Sequence, residues 1–222
     1  MGLLRFLLAL SVITAHTGPI FGSYLVGGKI AVQSFFIISG FYMSLIISQK
    51  YSGKKNSYKL FITNRILRIY PTYLIVLFLS IILSFFFLMK GMGGTFSLYK
   101  QYNQVLNPIT LAYLIISNIF IVGMDLVMFL GIDITHKTFY FTSNYLSTNP
   151  QLYYFLLIPQ AWTLSLELMF YFIAPFFVKR KFWVLFVLII ISLSLRFYIY
   201  HIGLHQEPWT NRFFPTELFF FS

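Results

Sequence analysis

The sequence predicts an all-α fold, a polytopic transmembrane helical bundle, from its hydropathy, the length of its apolar runs and the placement of its charges. Hydrophobic residues make up 59% of the chain and aromatic ones 21%, with mean hydropathy +0.80, well above the usage of soluble domains. The apolar residues come in runs long enough to cross a bilayer. Sixteen Lys and Arg against five Asp and Glu give a net charge of +11, concentrated in short segments between those runs, as topology signals are. That distribution argues against nucleic acid as a partner and for membrane lipids. There is no cysteine, which excludes disulfides, thiol nucleophiles and Cys-ligated zinc. Chemistry falls to His, carboxylates, hydroxyls and backbone.

The first predicted span runs from Phe6 to Val26. Arg5 before a short apolar stretch is also the start of a secretory signal, but no small-residue cleavage site followed by a soluble domain appears. Further spans are Ile30 to Ser48, Ile69 to Met89, Ala161 to Val178 and Phe182 to His201, each near the ~20 residues that cross ~30 Å of hydrocarbon. Another starts at Phe213, giving six to seven membrane segments in one domain over residues 1–222. Lys50, Lys54, Lys55, Lys59, Arg65 and Arg68 crowd between the second and third spans, which assigns that loop to the cytoplasm. The N-terminus is then cytoplasmic, Thr17 to Lys29 faces outside, and the expected location is the inner cell membrane.

Ile109 to Leu130 creates a conflict. Counted as a full crossing, it would place Lys179-Arg180-Lys181 outside, against the charge rule. It contains Asn118, Gly123, Asp125 and Gly131, which fit a re-entrant or partly unwound segment whose backbone is satisfied by protein or water. Ile132 to Pro159, rich in Thr, Ser, Asn and Tyr, is then an outer loop. The chain stops at Phe219-Phe220-Phe221-Ser222, inside what reads as a new apolar segment, so truncation from a longer protein is expected.

Arg5 and His16 lie eleven residues apart. At 100° per residue that is roughly 20° past three turns, so both share one helix face about 16 Å apart. Ionisable groups at such depth are costly and usually face a polar cavity, and imidazole can take a proton from a hydroxyl and return it to a leaving group. The alternative is a buried histidine bonded to a neighbouring helix. Arg65 and Arg68, in NRILRIYP, are i, i+3 neighbours on a helix and form a clamp suited to phosphate, or else set topology and bind lipid headgroups. Glu167, in QAWTLSLELMFY, is the clearest intramembrane carboxylate, close to Trp162 and Ser165. It could orient a histidine, act as acid or base, or neutralise an arginine such as Arg196. Asp125 is a similar candidate. Ser39-Gly40, in FFIISGFYM, reads first as a close-packing site and second as a nucleophile. His136, His201 and His205 fall in or beside loops as solvated residues, with no metal-ligand set.

These segments resemble the membrane-bound acyltransferase-3 family. Arg5 and His16 match its R-x10-H signature, FFIISGF its second-span motif, and Arg65 and Arg68 its R-x-x-R. GMDLVMFLG resembles a family segment carrying Asp125, AWTLSLELMFYFIAP matches W-[ST]-L-x-x-E, and FFPTELFFF resembles the start of a later span. Gln33 stands where many relatives have an aspartate. The family core has about ten spans of ~20 residues, more than this chain holds. The resemblance implies an O-acyltransferase that moves an acyl group, usually acetyl from acyl-CoA (acetyl-CoA), onto a hydroxyl of a carbohydrate or lipid-linked glycan. His16 and Glu167 would be catalytic, Arg5, Arg65 and Arg68 would bind the donor, and no metal or permanent cofactor is implied. The competing readings are a proton-coupled transporter or flippase of a lipid-linked sugar and a non-catalytic membrane subunit.

Overall fold

The computed structural model describes residues 2–19, 22–23, 25–51, 53, 55–178 and 180–221. Lys54 and Lys179, two of the basic residues in the topology argument, and Ser222 lie outside the described residues. The helices are α1 (Gly2–Thr17), α2 (Gly28–Lys50), α3 (Ser57–Met89), α4 (Thr95–Gln101), α5 (Pro108–Ile119), α6 (Trp162–Phe177), α7 (Phe182–His201) and α8 (Phe214–Glu217). A two-stranded antiparallel hairpin, β1 (Leu130–Asp133) and β2 (Thr138–Phe141), joins them. Among the described residues α2, α3 and α7 are long and apolar enough to cross a membrane.

The helix boundaries depart from the hydropathy spans for local reasons. The first span was expected to reach Val26, yet α1 ends at Thr17. Gly18 follows at φ 107°, and Pro19 has no N–H and disfavours a helical residue before it. In the opposite sense, α3 is 33 residues long and takes in Arg65 and Arg68, which the sequence placed where a loop enters the span. From Arg68 to Met89 the helix rises about 32 Å, one hydrocarbon thickness, so Arg65 and Arg68 lie at or before the start of a stretch of crossing length.

Helix α5 is capped by Asn107, whose side chain accepts a bond from the Thr110 N–H at 2.8 Å, with Pro108 in the first turn. It runs for 12 residues, about 18 Å and too short to cross ~30 Å. Gly123, left-handed at φ 77°, then starts a 3-10 turn over Met124–Phe129. The stretch 109–130 is therefore interrupted, the form expected of a re-entrant segment.

The stretch expected to be a loop from Ile132 onward is ordered. Thr138-Phe139-Tyr140-Phe141 has strand-forming side chains and pairs with 130–133 in the register Leu130 with Phe141 and Asp133 with Thr138. Asp133 closes the turn by accepting from the Thr135 and His136 N–H groups and pairing with His136 Nδ1 at 2.7 Å. Those bonds, the His136 side chain first, hold its carboxyl below the usual range. Tyr140 lies over Gly131 so closely that a Cβ there would fall 2.3 Å from its ring.

The chain divides into two compact units. The first comprises residues 1–61, 170–197 and 215–222. In it α1 and α2 run antiparallel, with Ala15 against Gly28 at one end and Arg5 against Tyr42 at the other. Phe221 stacks between Phe36 and Phe170, with ring centroids at 4.6 and 4.4 Å. Its backbone rests on Gly40, where a Cβ would come 2.0 Å from the Phe221 carbonyl oxygen. Gly40 is thus a close-packing site, the first reading of Ser39-Gly40.

The second unit comprises residues 62–169 and 198–214. Leu114, Ile121, Met124, Val127, Met128, Leu152 and Phe155 are buried in it. At the end of α5, Asn118 bonds the 155–157 segment at two points. Its Nδ2 donates to the Phe155 carbonyl at 3.0 Å, and its Oδ1 accepts from the Leu157 N–H at 2.6 Å. Tyr73 of α3 donates to the Asn118 carbonyl at 2.6 Å.

Candidate functional site

In the first unit, Arg5 and His16 occupy one continuous helix, as their phase requires. The residues that α1 buries are Leu8, Ser11 and Thr14, and Arg5 and His16 project roughly 120–140° around the helix from the centre of that face. Arg5 is half-buried, its guanidinium carbon 4.7 Å from the Tyr42 ring centroid, a cation–π contact. Its Nε is buried with no hydrogen-bond partner among the described residues. His16 sits in the last turn of α1 and is exposed. Ser39 is buried on α2.

Arg196, the cation the sequence suggested for Glu167, is engaged by Glu217. Its Nη1 donates to Glu217 Oε1 at 2.6 Å and to the Thr216 carbonyl at 3.3 Å. Ser192 pins the same segment, donating to the Pro215 carbonyl at 2.7 Å and accepting from the Phe219 N–H at 3.2 Å. The C-terminal segment is thereby tied to α7.

In the second unit, Arg65 is buried at 7% exposure while Arg68 is exposed. Three residues apart on α3, they are neighbours on its surface, with Arg68 presented outward. Glu167 lies half-buried two residues beyond the fully buried Ser165, whose hydroxyl oxygen accepts from the Gly123 N–H at 3.1 Å. That bond ties the start of α6 to the glycine where 109–130 unwinds.

Asp125 and Trp162, noted separately in the sequence, are brought together by Arg212. The Arg212 Nη1 donates to Asp125 Oδ1 and its Nε to Glu207 Oε2, both at 3.1 Å. Its guanidinium carbon lies 4.9 Å from the Trp162 ring centroid and 5.2 Å from that of Tyr153. Arg212 and Asp125 are each 7% exposed at the side chain, whereas Glu207 is 37% exposed. A guanidinium is suited to this environment, since it bonds carboxylates through its fork and stacks on rings through its planar face.

Sequence reading missed Arg212, Glu207 and Glu217. The available signal was scarcity: with five acidic residues in a strongly basic, apolar chain, each buried carboxylate needs a cation. Among the described residues no group of three or more His, Asp and Glu is arranged to hold a metal ion. His136 is exposed against Asp133, His201 is exposed at the end of α7, and exposed His205 packs on Tyr200 at 4.3 Å between ring centroids.

A family model described as an acyltransferase domain matches residues 1–222, the whole chain. No curated protein and no solved structure matches it significantly.

Proposed function

The chain belongs to the acyltransferase-3 family and is a membrane acyltransferase, and from that premise we propose that it transfers acetyl from acetyl-CoA to a hydroxyl of a carbohydrate or cell-envelope glycan. The observation that carries the reading is the R-x10-H pair: Arg5 and His16 share one face of α1, with the imidazole exposed at the helix end. In this reading His16 removes the proton from the acceptor hydroxyl as its oxygen attacks the thioester carbonyl. The C–S bond breaks, the new C–O ester bond remains, and the imidazolium returns its proton to the departing CoA thiolate. Arg5 supports the donor.

Arg65 and Arg68 bind CoA phosphates, which a pair of guanidiniums holds by charge-assisted bonds. By the positive-inside argument they do so from the cytoplasmic side of an inner-membrane protein. Glu167 supports the proton transfer as a half-buried carboxylate, the Arg212 carboxylate pair and Trp162 give the second unit a fixed frame, and Ser39 acts by packing.

The test is to incubate the full chain, in membranes and after purification, with labelled acetyl-CoA and glycan acceptors. Label should appear on glycan, and His16→Ala should lower the rate about 100- to 10,000-fold, the usual contribution of general acid–base catalysis. Wild-type transfer by a folded His16→Ala protein would remove His16 from the role of base. Movement of unlabelled glycan across the membrane with no acylated product would identify a carrier.

A further inference from the structure

Between their two end contacts, α1 and α2 of the first unit are out of step. From the contact of Ala15 with Gly28, α1 runs back to Arg5 over a rise of about 15 Å, while α2 runs on to Tyr42 over about 21 Å. Side chains span the remaining ~6 Å. Each Cα–Cβ bond leans toward the N-terminus of its own helix. In an antiparallel pair Arg5 therefore leans along α2 toward Tyr42, and Tyr42 leans back toward Arg5. A long side chain and a large ring close the gap, with the guanidinium carbon 4.7 Å over the ring centroid.

That ring contact is the anchor of Arg5. Its Nε is buried without a hydrogen-bond partner, and among the described residues no carboxylate or carbonyl takes its terminal nitrogens, which unlike Nε are not buried. A cation–π contact is electrostatic and uses up no N–H donor. It holds the guanidinium while leaving Nη1 and Nη2 for an incoming anion. Tyr42 is itself held: it is half-buried, Met43 beside it is 2% exposed, and Phe41 meets its ring edge-on at 6.2 Å and 70°.

We propose that Tyr42 is a positioning residue for Arg5, its ring pre-setting the guanidinium for the anionic acyl donor. The proposal rests on the reading that Arg5 supports the donor. An arginine without an anchor samples many rotamers, and ordering them on binding weakens affinity. The Tyr42 hydroxyl makes no hydrogen bond among the described residues, so the ring carries the contact and phenylalanine should serve nearly as well. An aromatic that only marks the membrane interface would have no coupling to Arg5.

The test uses the full chain purified in detergent, with CoA affinity measured by calorimetry and donor KM and kcat by transfer from labelled acetyl-CoA. Tyr42→Leu should weaken CoA binding and raise donor KM about 3- to 10-fold, the range of a half-buried cation–π contact. Its kcat should hold, as for a loss of uniform donor binding. Tyr42→Phe should stay within about twofold of wild type. In an Arg5→Ala background Tyr42→Leu should add nothing, because the partner it positions is gone. Phenylalanine and its mono-, di- and trifluorinated forms placed at position 42 keep the packing, and affinity should fall stepwise as fluorine draws charge from the ring face. Wild-type affinity in folded Tyr42→Leu, equal loss in Tyr42→Phe, additive loss with Arg5→Ala, or no trend with fluorination would overturn the positioning role.

The two readouts separate this proposal from the one it rests on. His16-dependent glycan acylation whose donor KM rises in Arg5→Ala but not in Tyr42→Leu overturns the role of Tyr42 and leaves the acyltransferase reading standing. Coupled loss of CoA affinity in the two variants, with no glycan ever labelled, supports the role of Tyr42 and overturns glycan as the acceptor. Unchanged CoA affinity and donor KM in Arg5→Ala overturn both the donor role of Arg5 and the positioning role of Tyr42.

Discussion

Replacing Asn118 with Leu removes the latch that holds the 155–157 segment while keeping the volume of the side chain nearly constant. Asn118 is 6% exposed, and its amide makes bonds of 2.9 Å to the Leu114 carbonyl, 3.0 Å to the Phe155 carbonyl and 2.6 Å from the Leu157 N–H. The consequences differ by partner. The Leu114 carbonyl keeps its helix bond, and the Phe155 carbonyl keeps Tyr99. The Leu157 N–H loses the acceptor that Asn118 provides, which costs about 1–3 kcal/mol, and the two lost donor bonds add about 0.5–1.5 kcal/mol each before partial compensation. A total near 3 kcal/mol corresponds to roughly a hundredfold shift in the folded-to-unfolded ratio.

Tyr99→Phe removes one 3.2 Å bond to a carbonyl that Asn118 still satisfies, so its cost should stay near 1 kcal/mol. Thermal unfolding in detergent measures the order of the two variants. Hydrogen–deuterium exchange over peptides covering 145–158 measures whether this segment loosens. If Asn118→Leu melted with the wild type, or no lower than Tyr99→Phe, with exchange over 145–158 unchanged, the latch would not be what orders this segment.

Four further variants test the same physical terms. Arg68→Ala should raise the apparent KM for the CoA donor about 10- to 100-fold, the loss of a charge-assisted contact, with little change in melting because Arg68 is exposed. Arg65→Ala should raise KM and also lower the melting temperature, since Arg65 is buried; donor titrations paired with melting curves separate the two. Arg212→Ala leaves Asp125 buried without its cation and should cost about 3–5 kcal/mol, with Arg212→Lys intermediate because an ammonium lacks the fork that reaches Asp125 and Glu207; equal melting of all three proteins would refute the pairing. Gly40→Ala forces a Cβ onto the Phe221 backbone and should cost about 1–3 kcal/mol by overpacking, read as lowered melting.

The helical, membrane-embedded character, the spans Ile30 to Ser48 and Phe182 to His201 and the common phase of Arg5 and His16 were readable from sequence. Each depends on a window of composition or on a repeat within one helix. Helix ends were less readable because they turn on single residues: Gly18 and Pro19 stop α1 well before hydropathy falls, and α3 continues through charged residues that hydropathy excludes. The interruption of 109–130 could be anticipated from Asn118 and Gly123, but the use of Asn118 could not. Its side chain is a long-range bond to residues 155–157, and no local pattern specifies such a partner.

The same limit applies to the charges. Sequence alone determined that this is a basic, apolar chain whose few carboxylates must each be compensated. Only the tertiary structure decided that Arg212 compensates Asp125 across 87 residues and that Arg196 compensates Glu217 across 21. Periodicity along one helix sets which face a residue occupies. Which distant segment folds back onto that face is set by packing and by the cost of leaving a buried charge unpaired.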